Sequence, residues 1–204
     1  MSGSAHRRIG VLGGTFDPMH NAHTAIATEV KRALDLDLVL FVPTGEPWQK
    51  EHYSNAEDRF MMTVLGTGGV PGFAVSRIEI DRRGPTYTLD TMVSLTAFYG
   101  EGTDLFFIVG ADAAAQLGTW KKVEELGAYC EVVTIARPGF AHSDIITKPG
   151  WPALRPVTAP LMDISATDIR ERVRARRPYA DLVPAPVARY IEERGLYREG
   201  SRSA

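Results

Sequence analysis

Apolar residues along this chain fall into short unbroken runs that alternate with stretches of helical spacing. Ile9-Gly10-Val11-Leu12 is such a run and stops at Gly13-Gly14, while Ile26, Val30, Ala33 and Leu34 recur with helical period over residues 22–34. The pattern repeats. Leu38-Val39-Leu40-Phe41-Val42 predicts a second strand closed by Pro43, and Ser54-Asn55-Ala56-Glu57 reads as a capping box that opens a helix through Leu65. Phe73 to Ile80 predicts a third strand, Thr88 to Tyr99 a third helix, and Leu105 to Val109 a strand buried on both faces. Two short helices over 111–116 and 121–126 precede a fifth strand at Val132 to Ala136, and the Pro- and Gly-containing stretch from Arg137 to Arg155 reads as a loop. A helix from Thr167 to Arg176 and a last one from Pro184 or Pro186 to Arg194, ended by Gly195, complete the chain. Strands alternating with helices imply an α/β fold. The expected form is a Rossmann-like, doubly wound parallel sheet with helices on both faces and a small C-terminal helical portion over 160–197, in a single domain. Residues 1–6 should be frayed.

The charge balance narrows the function. With 23 basic and 25 acidic side chains the formal charge is −2, which lacks the electrostatic footprint of a nucleic-acid binder, so any anionic ligand must be small and gripped locally. The lone Cys130 can form neither an internal disulfide nor a metal cage by itself and reads as core. No secretory signal or membrane-length apolar run is visible, so a cytoplasmic protein without membrane partners is expected. A homo-oligomer is compatible with the sequence.

The densest cluster of chemistry is Gly13-Gly14-Thr15-Phe16-Asp17-Pro18-Met19-His20-Asn21-Ala22-His23, between the first strand and first helix. Glycines allow close backbone approach, and a helix that starts near His20 points its free N–H groups at a ligand above the sheet. Phosphate is the natural guest, because His20 and His23 are three apart and share a helix face near its positive end. The segment has neither the spacing of G-x-G-x-x-G nor the Gly-Lys-Ser/Thr of a P-loop, which argues against a dehydrogenase and a P-loop kinase. A plain glycine turn with two satisfied histidines, or a two-histidine zinc site with an unseen third ligand, are the competing readings.

These eleven residues resemble the nucleotidyltransferase signature Gly-x-Phe-x-Pro-x-His-x-Gly-His, with Ala22 in place of its glycine. Ile164-Ser165-Ala166-Thr167-Asp168-Ile169-Arg170 resembles a second signature of the same superfamily, Ile-Ser-Ser-Thr-x-x-Arg, with Ala166 in place of a serine. Gly84-Pro85-Thr86-Tyr87-Thr88-Leu89-Asp90-Thr91, and Gly110-Ala111-Asp112 followed by Trp120, are similar to segments of the bacterial nicotinate-mononucleotide adenylyltransferases. That resemblance implies transfer of AMP from ATP to nicotinate mononucleotide, with Mg²⁺ carried on the ATP phosphates and no metal ligands in the protein. It implies catalytic roles for His20, His23, Arg170 and Lys50. It places ATP on Gly13, Gly14, Thr15, Phe16, His20, His23, Gly110, Asp112, Ile164, Ser165, Thr167 and Arg170. The mononucleotide is expected on Thr44, Lys50, Thr86, Tyr87, Trp120 and Arg137, with Trp120 stacked on the pyridine ring. Pro43 to Lys50 departs from the family's Pro-Pro-His-Lys at Trp48 and Gln49, which shifts phosphate charge onto Lys50. The same scaffold could serve nicotinamide mononucleotide or phosphopantetheine. A silent nucleotide-binding regulatory module is the alternative of another class, and a class I synthetase fragment would lack room for a tRNA-binding domain.

Overall fold

The computed structural model describes residues 6–45, 54–135, 148–160 and 162–198. Six parallel strands form one sheet in the order β3-β2-β1-β4-β5-β6, where β1 is Arg7–Gly14, β2 Leu38–Pro43, β3 Phe73–Val75, β4 Thr103–Gly110, β5 Glu131–Ile135 and β6 Leu154–Val157. This is the doubly wound Rossmann order, in which successive strands are added outward in opposite directions from the β1–β4 pair. The register there pairs Val11 with Leu40 on one side and with Phe107 on the other.

Period-two alternation decides which face each side chain joins. Leu12, Val39, Phe41, Phe106, Ile108, Val133 and Ile135 point to one layer, where they meet Ala27 and Val30 of α1 (Asn21–Ala33), Met62 of α2 (Ala56–Thr67), Ile169 of α6 (Ala166–Arg174) and Val187 and Ile191 of α7 (Ala185–Arg194). Ile9, Val11, Leu40, Val42, Leu105, Phe107 and Val109 point the other way, onto Leu89, Met92 and Leu95 of α3 (Thr88–Tyr99), Ala114 of α4 (Ala111–Ala114) and Val123 and Leu126 of α5 (Val123–Leu126). Both faces of the sheet are thus covered, which is why its strands are continuous apolar runs.

Several elements differ from the sequence expectation. The third strand ends at Val75 because the chain leaves the sheet edge after Ser76 donates its N–H to Phe41, and residues 78–80 form a turn. The helix α2 is capped by Asn55, whose side chain accepts from Asp58 N–H at 2.8 Å, and not by a Ser54 capping box. Most of the stretch expected to be loop, residues 137–147, lies outside the described residues, and its last two residues open β6, an edge strand paired parallel with β5 from Val132↔Leu154 to Ile135↔Val157 that the sequence did not predict. Pro156 lies within it, as an edge strand tolerates. The expected 111–116 helix is one short helix, α4, followed by a 3₁₀ turn at Leu117–Thr119. His6, expected to fray, bonds Asp104 at 2.8 Å.

Candidate active site

The loop between β1 and α1 crosses the carboxyl edge of the sheet at the point where strand order reverses. Gly13 is exposed there, Phe16 is buried with φ of +50°, and the Asp17–Pro18 peptide is cis. His20 is the N-cap of α1 in extended conformation, and its N–H donates to Nδ1 of His23 at 3.2 Å. An accepting Nδ1 puts the His23 ring proton on Nε2. The two imidazoles stack with centroids 3.7 Å apart, and Phe16 meets His23 edge-on at 4.9 Å. The first turn of α1 carries no acidic residue, so its N-terminal positive potential is uncompensated from within the helix. Ala22, at the glycine position of the signature, is buried in that turn.

A second element reaches the same loop from 153 residues further along the chain. Ser165 caps α6 by accepting from Asp168 N–H at 3.1 Å, and this sets the first turn from which Arg170 projects. The Arg170 guanidinium donates through Nη1 to the Asp17 carbonyl at 2.7 Å and through Nη2 to Thr167 Oγ1 at 3.2 Å. Ile164 packs against the core beneath. On the far side, Gly110 ends β4 and caps α4, whose first turn contains Asp112.

A cavity of about 440 Å³ opens on the α3 side of the sheet, lined by Thr86, Tyr87, Thr88 and Leu89 at the start of α3 and by Trp120 and Lys121 opposite. Trp120 is held edge-on to Phe107 at 5.7 Å, and a side chain at Gly13 would touch that same Phe107 at 3.4 Å. Thr44, just beyond β2, is tied to the glycine loop: its N–H and its Oγ both donate to the Gly14 carbonyl, at 2.9 and 3.2 Å. Lys121 Nζ lies 4.3 Å from the Tyr87 ring centroid. Among the described residues no group of three His, Cys, Asp or Glu side chains is placed to hold a metal ion. Lys50 and Arg137, with Trp48 and Gln49, lie outside the described residues.

The structural roles of Asp17, Arg59, Glu79 and Tyr197 escaped the sequence reading. Asp17 is fully buried, and its carboxylate accepts from Ser54 N–H at 3.2 Å and from the Tyr197 hydroxyl at 2.6 Å. Arg59 is 1% exposed although it carries a charge. Glu79 accepts from Thr91 Oγ1 at 2.7 Å, and burial pushes its carboxyl above the usual range. A signal for Arg59 does exist in the sequence, since it shares one helical face with Met62, Thr63 and Gly66, all buried.

A glycine loop, a histidine pair at a helix start and an arginine from a distant helix are assembled at the switch point of a Rossmann sheet, a set of donors whose chemistry suits a small anion. Residues 11–172 match the sequence profile of the cytidylyltransferase-like family, and the chain belongs to that family. It is 48% identical over 98% of its length to a protein of Saccharopolyspora erythraea named "Probable nicotinate-nucleotide adenylyltransferase", of which it covers 94%. A protein of the same name from Streptomyces coelicolor is 50% identical over 92% of this chain and 99% of its own. In structure the chain is similar to Plasmodium falciparum nicotinic acid mononucleotide adenylyltransferase complexed with NaAD, with a TM-score of 0.76 over 94% of this chain and 98% of that one. At 18% identity that likeness is one of fold.

Proposed function

We propose that the protein transfers the adenylyl group of ATP to nicotinate mononucleotide, forming nicotinate adenine dinucleotide and releasing pyrophosphate. The observation that carries this reading is the bond from Arg170 to the Asp17 carbonyl, which joins the two phosphate motifs in a fold that also holds a cavity walled by Trp120 and the start of α3.

In the reaction, an oxygen of the mononucleotide phosphate attacks the α-phosphorus of ATP in line, and the bond from that phosphorus to the β-phosphate oxygen breaks. The nucleophile is already ionised near neutral pH, so positioning and charge stabilisation carry the rate. The protonated Nε2 of His23, with His20 and the α1 N-terminus, faces the triphosphate and stabilises charge that builds on it. Arg170 and, by family resemblance, Lys50 hold the leaving pyrophosphate. Gly13 to Phe16, Ile164, Ser165 and Thr167 border the phosphates, while Gly110 and Asp112 border the adenosine. Mg²⁺ enters on the ATP oxygens as part of the substrate.

The pyridine ring stacks on Trp120 in the 440 Å³ cavity, and its carboxylate meets the α3 N-terminus at Thr86 to Leu89. A helix N-terminus favours a carboxylate over a neutral amide, which favours the acid substrate. Thr44 and Arg137 complete the expected mononucleotide contacts.

The test is pyrophosphate release by the purified protein with Mg-ATP and nicotinate mononucleotide, nicotinamide mononucleotide or phosphopantetheine in separate reactions. Release with the first, abolished in His20→Ala, is expected. Release only with another acceptor overturns the pocket assignment, and silence with all three overturns the enzymatic reading.

A further inference from the structure

The two substrate regions are built on different loops, and a single peptide stands between them. The carbonyl of Thr44 and that of Gly45 both accept from the Arg59 guanidinium, the latter from Nη2 at 2.6 Å. The same guanidinium donates from Nη1 to the Thr15 carbonyl in the nucleotide loop at 3.2 Å and from Nε to the Ser54 carbonyl at 3.1 Å. Every one of these partners is a main-chain oxygen. The planar fork is what makes this possible, because no other side chain offers five N–H donors in fixed directions.

Glu79 grips the peptide from the opposite end. Its carboxylate accepts from Thr91 Oγ1 at 2.7 Å and lies near the Gly45 N–H and the Thr86 hydroxyl, both of which favour its charged form. The approach is so close that a Cβ at Gly45 would lie 2.2 Å from the Glu79 carbonyl oxygen and 3.4 Å from Thr86 Cγ2. A cation at the carbonyl end and an anion at the N–H end both run with the peptide dipole, and burial strengthens each. Contacts then run from Thr15 in the nucleotide loop, through Arg59 and Gly45, to Glu79, which bonds Thr91 of α3 and lies near Thr86 at the wall of the pyridine cavity.

We propose that Arg59 and Glu79 are a positioning pair that holds Thr44–Gly45 in fixed register and thereby sets the separation between the ATP phosphates and the attacking mononucleotide phosphate. Neither residue lines the cavity or belongs to a phosphate motif, so the pair acts through the main chain and not by touching substrate. The inference rests on the adenylyl-transfer reading. In-line attack needs the reacting atoms in near contact, and a displacement of one ångström costs far more in rate than in the affinity of either substrate alone.

The test uses the full chain carrying Glu79→Gln or Arg59→Lys. Glutamine puts a neutral amide where a carboxylate receives Thr91, and lysine keeps the charge but loses the fork. Turnover with Mg-ATP and nicotinate mononucleotide is expected to fall about 100-fold in kcat, while the dissociation constant of each substrate measured alone stays within about threefold of wild type. The double variant is expected to be no slower than the slower single variant, because both changes release the same peptide. Retained kcat in Glu79→Gln, or loss of binary affinity in step with turnover, overturns the inference. Should Arg59→Lys fail to fold, Glu79→Gln decides alone. Wild-type silence with nicotinate mononucleotide overturns the substrate reading and this inference together, whereas wild-type turnover matched by Glu79→Gln overturns the inference only.

Discussion

The hydroxyl of Tyr197 donates to Oδ1 of Asp17 at 2.6 Å, joining residues 180 positions apart in the sequence. Tyr197 follows Gly195, the left-handed C-cap of α7, and itself has φ of +64°. The turn after the last helix therefore aims this ring under the β1–α1 loop, where Asp17 is fully buried. Removing the hydroxyl in Tyr197→Phe leaves a buried carboxylate oxygen short of a donor, and chemical denaturation should show a loss of about 1–3 kcal/mol. Unfolding midpoints equal to wild type would show that water replaces the hydroxyl without cost.

The same contact fixes the sign of an alkaline effect. Burial and the neighbouring Asp17 raise the Tyr197 pKa well above its ordinary 10.0, and Tyr190, which donates to Asp58 at 2.7 Å, is raised to about 12. The folded state holds these protons longer than the unfolded chain does, so their contribution is whole below pH 10.0 and is lost as pH rises beyond it. Stability measured against pH should fall above that point. The fall should be smaller in Tyr197→Phe.

Arg170 should respond even to a conservative change. In Arg170→Lys the charge remains but one ammonium cannot bond Asp17 and Thr167 while facing phosphate, so turnover is expected to drop by about 10²–10³-fold with the fold intact. Pyrophosphate release together with circular dichroism checks both halves of that statement.

Trp120 should separate the two substrates. Its ring is fixed by Phe107, and Trp120→Ala removes one wall of the cavity without touching the β1–α1 loop. The mononucleotide should lose about 1–3 kcal/mol of affinity, in line with stacking on an aromatic face. Titration with ATP alone should be unchanged, and an equal loss for both ligands would place Trp120 in a structural role.

Cys130 should be inert. It is 8% exposed, its thiol donates weakly to the Leu126 carbonyl at 3.8 Å, and burial pushes its pKa up to about 12. Alkylation at neutral pH should be negligible in the native protein and complete in denaturant. Rapid native labelling would mean that the start of β5 opens often.

The strand and helix alternation was legible because the apolar runs of β1, β2, β4 and β5 are buried on both faces and show no other periodicity. The β1–α1 loop and the start of α6, which carry the two motifs, were legible because each is local, a turn or a helix start within a dozen residues. What was not legible is long-range or irregular. Pro156 hid β6, since a proline argues against a strand unless it lies at an edge, and edge position is a property of the sheet. Phe73 to Ile80 looked like one strand because Ile78 continues the apolar pattern, yet Ile78 packs on the second core layer from a turn. Arg59 was passed over since a charge usually marks the solvent face, and only the folded loops supply the carbonyls that make its burial affordable.

The bond between Tyr197 and Asp17 also gives the site an order of completion. Ribosomes deliver the histidine loop first, Arg170 much later and Tyr197 later still, and domains fold behind the growing end. A nascent chain that already displays His20 and His23 has neither the guanidinium that meets the Asp17 carbonyl nor the hydroxyl that seats its carboxylate. A chain that ends before residue 170 therefore presents the histidine loop with neither of these supports for Asp17.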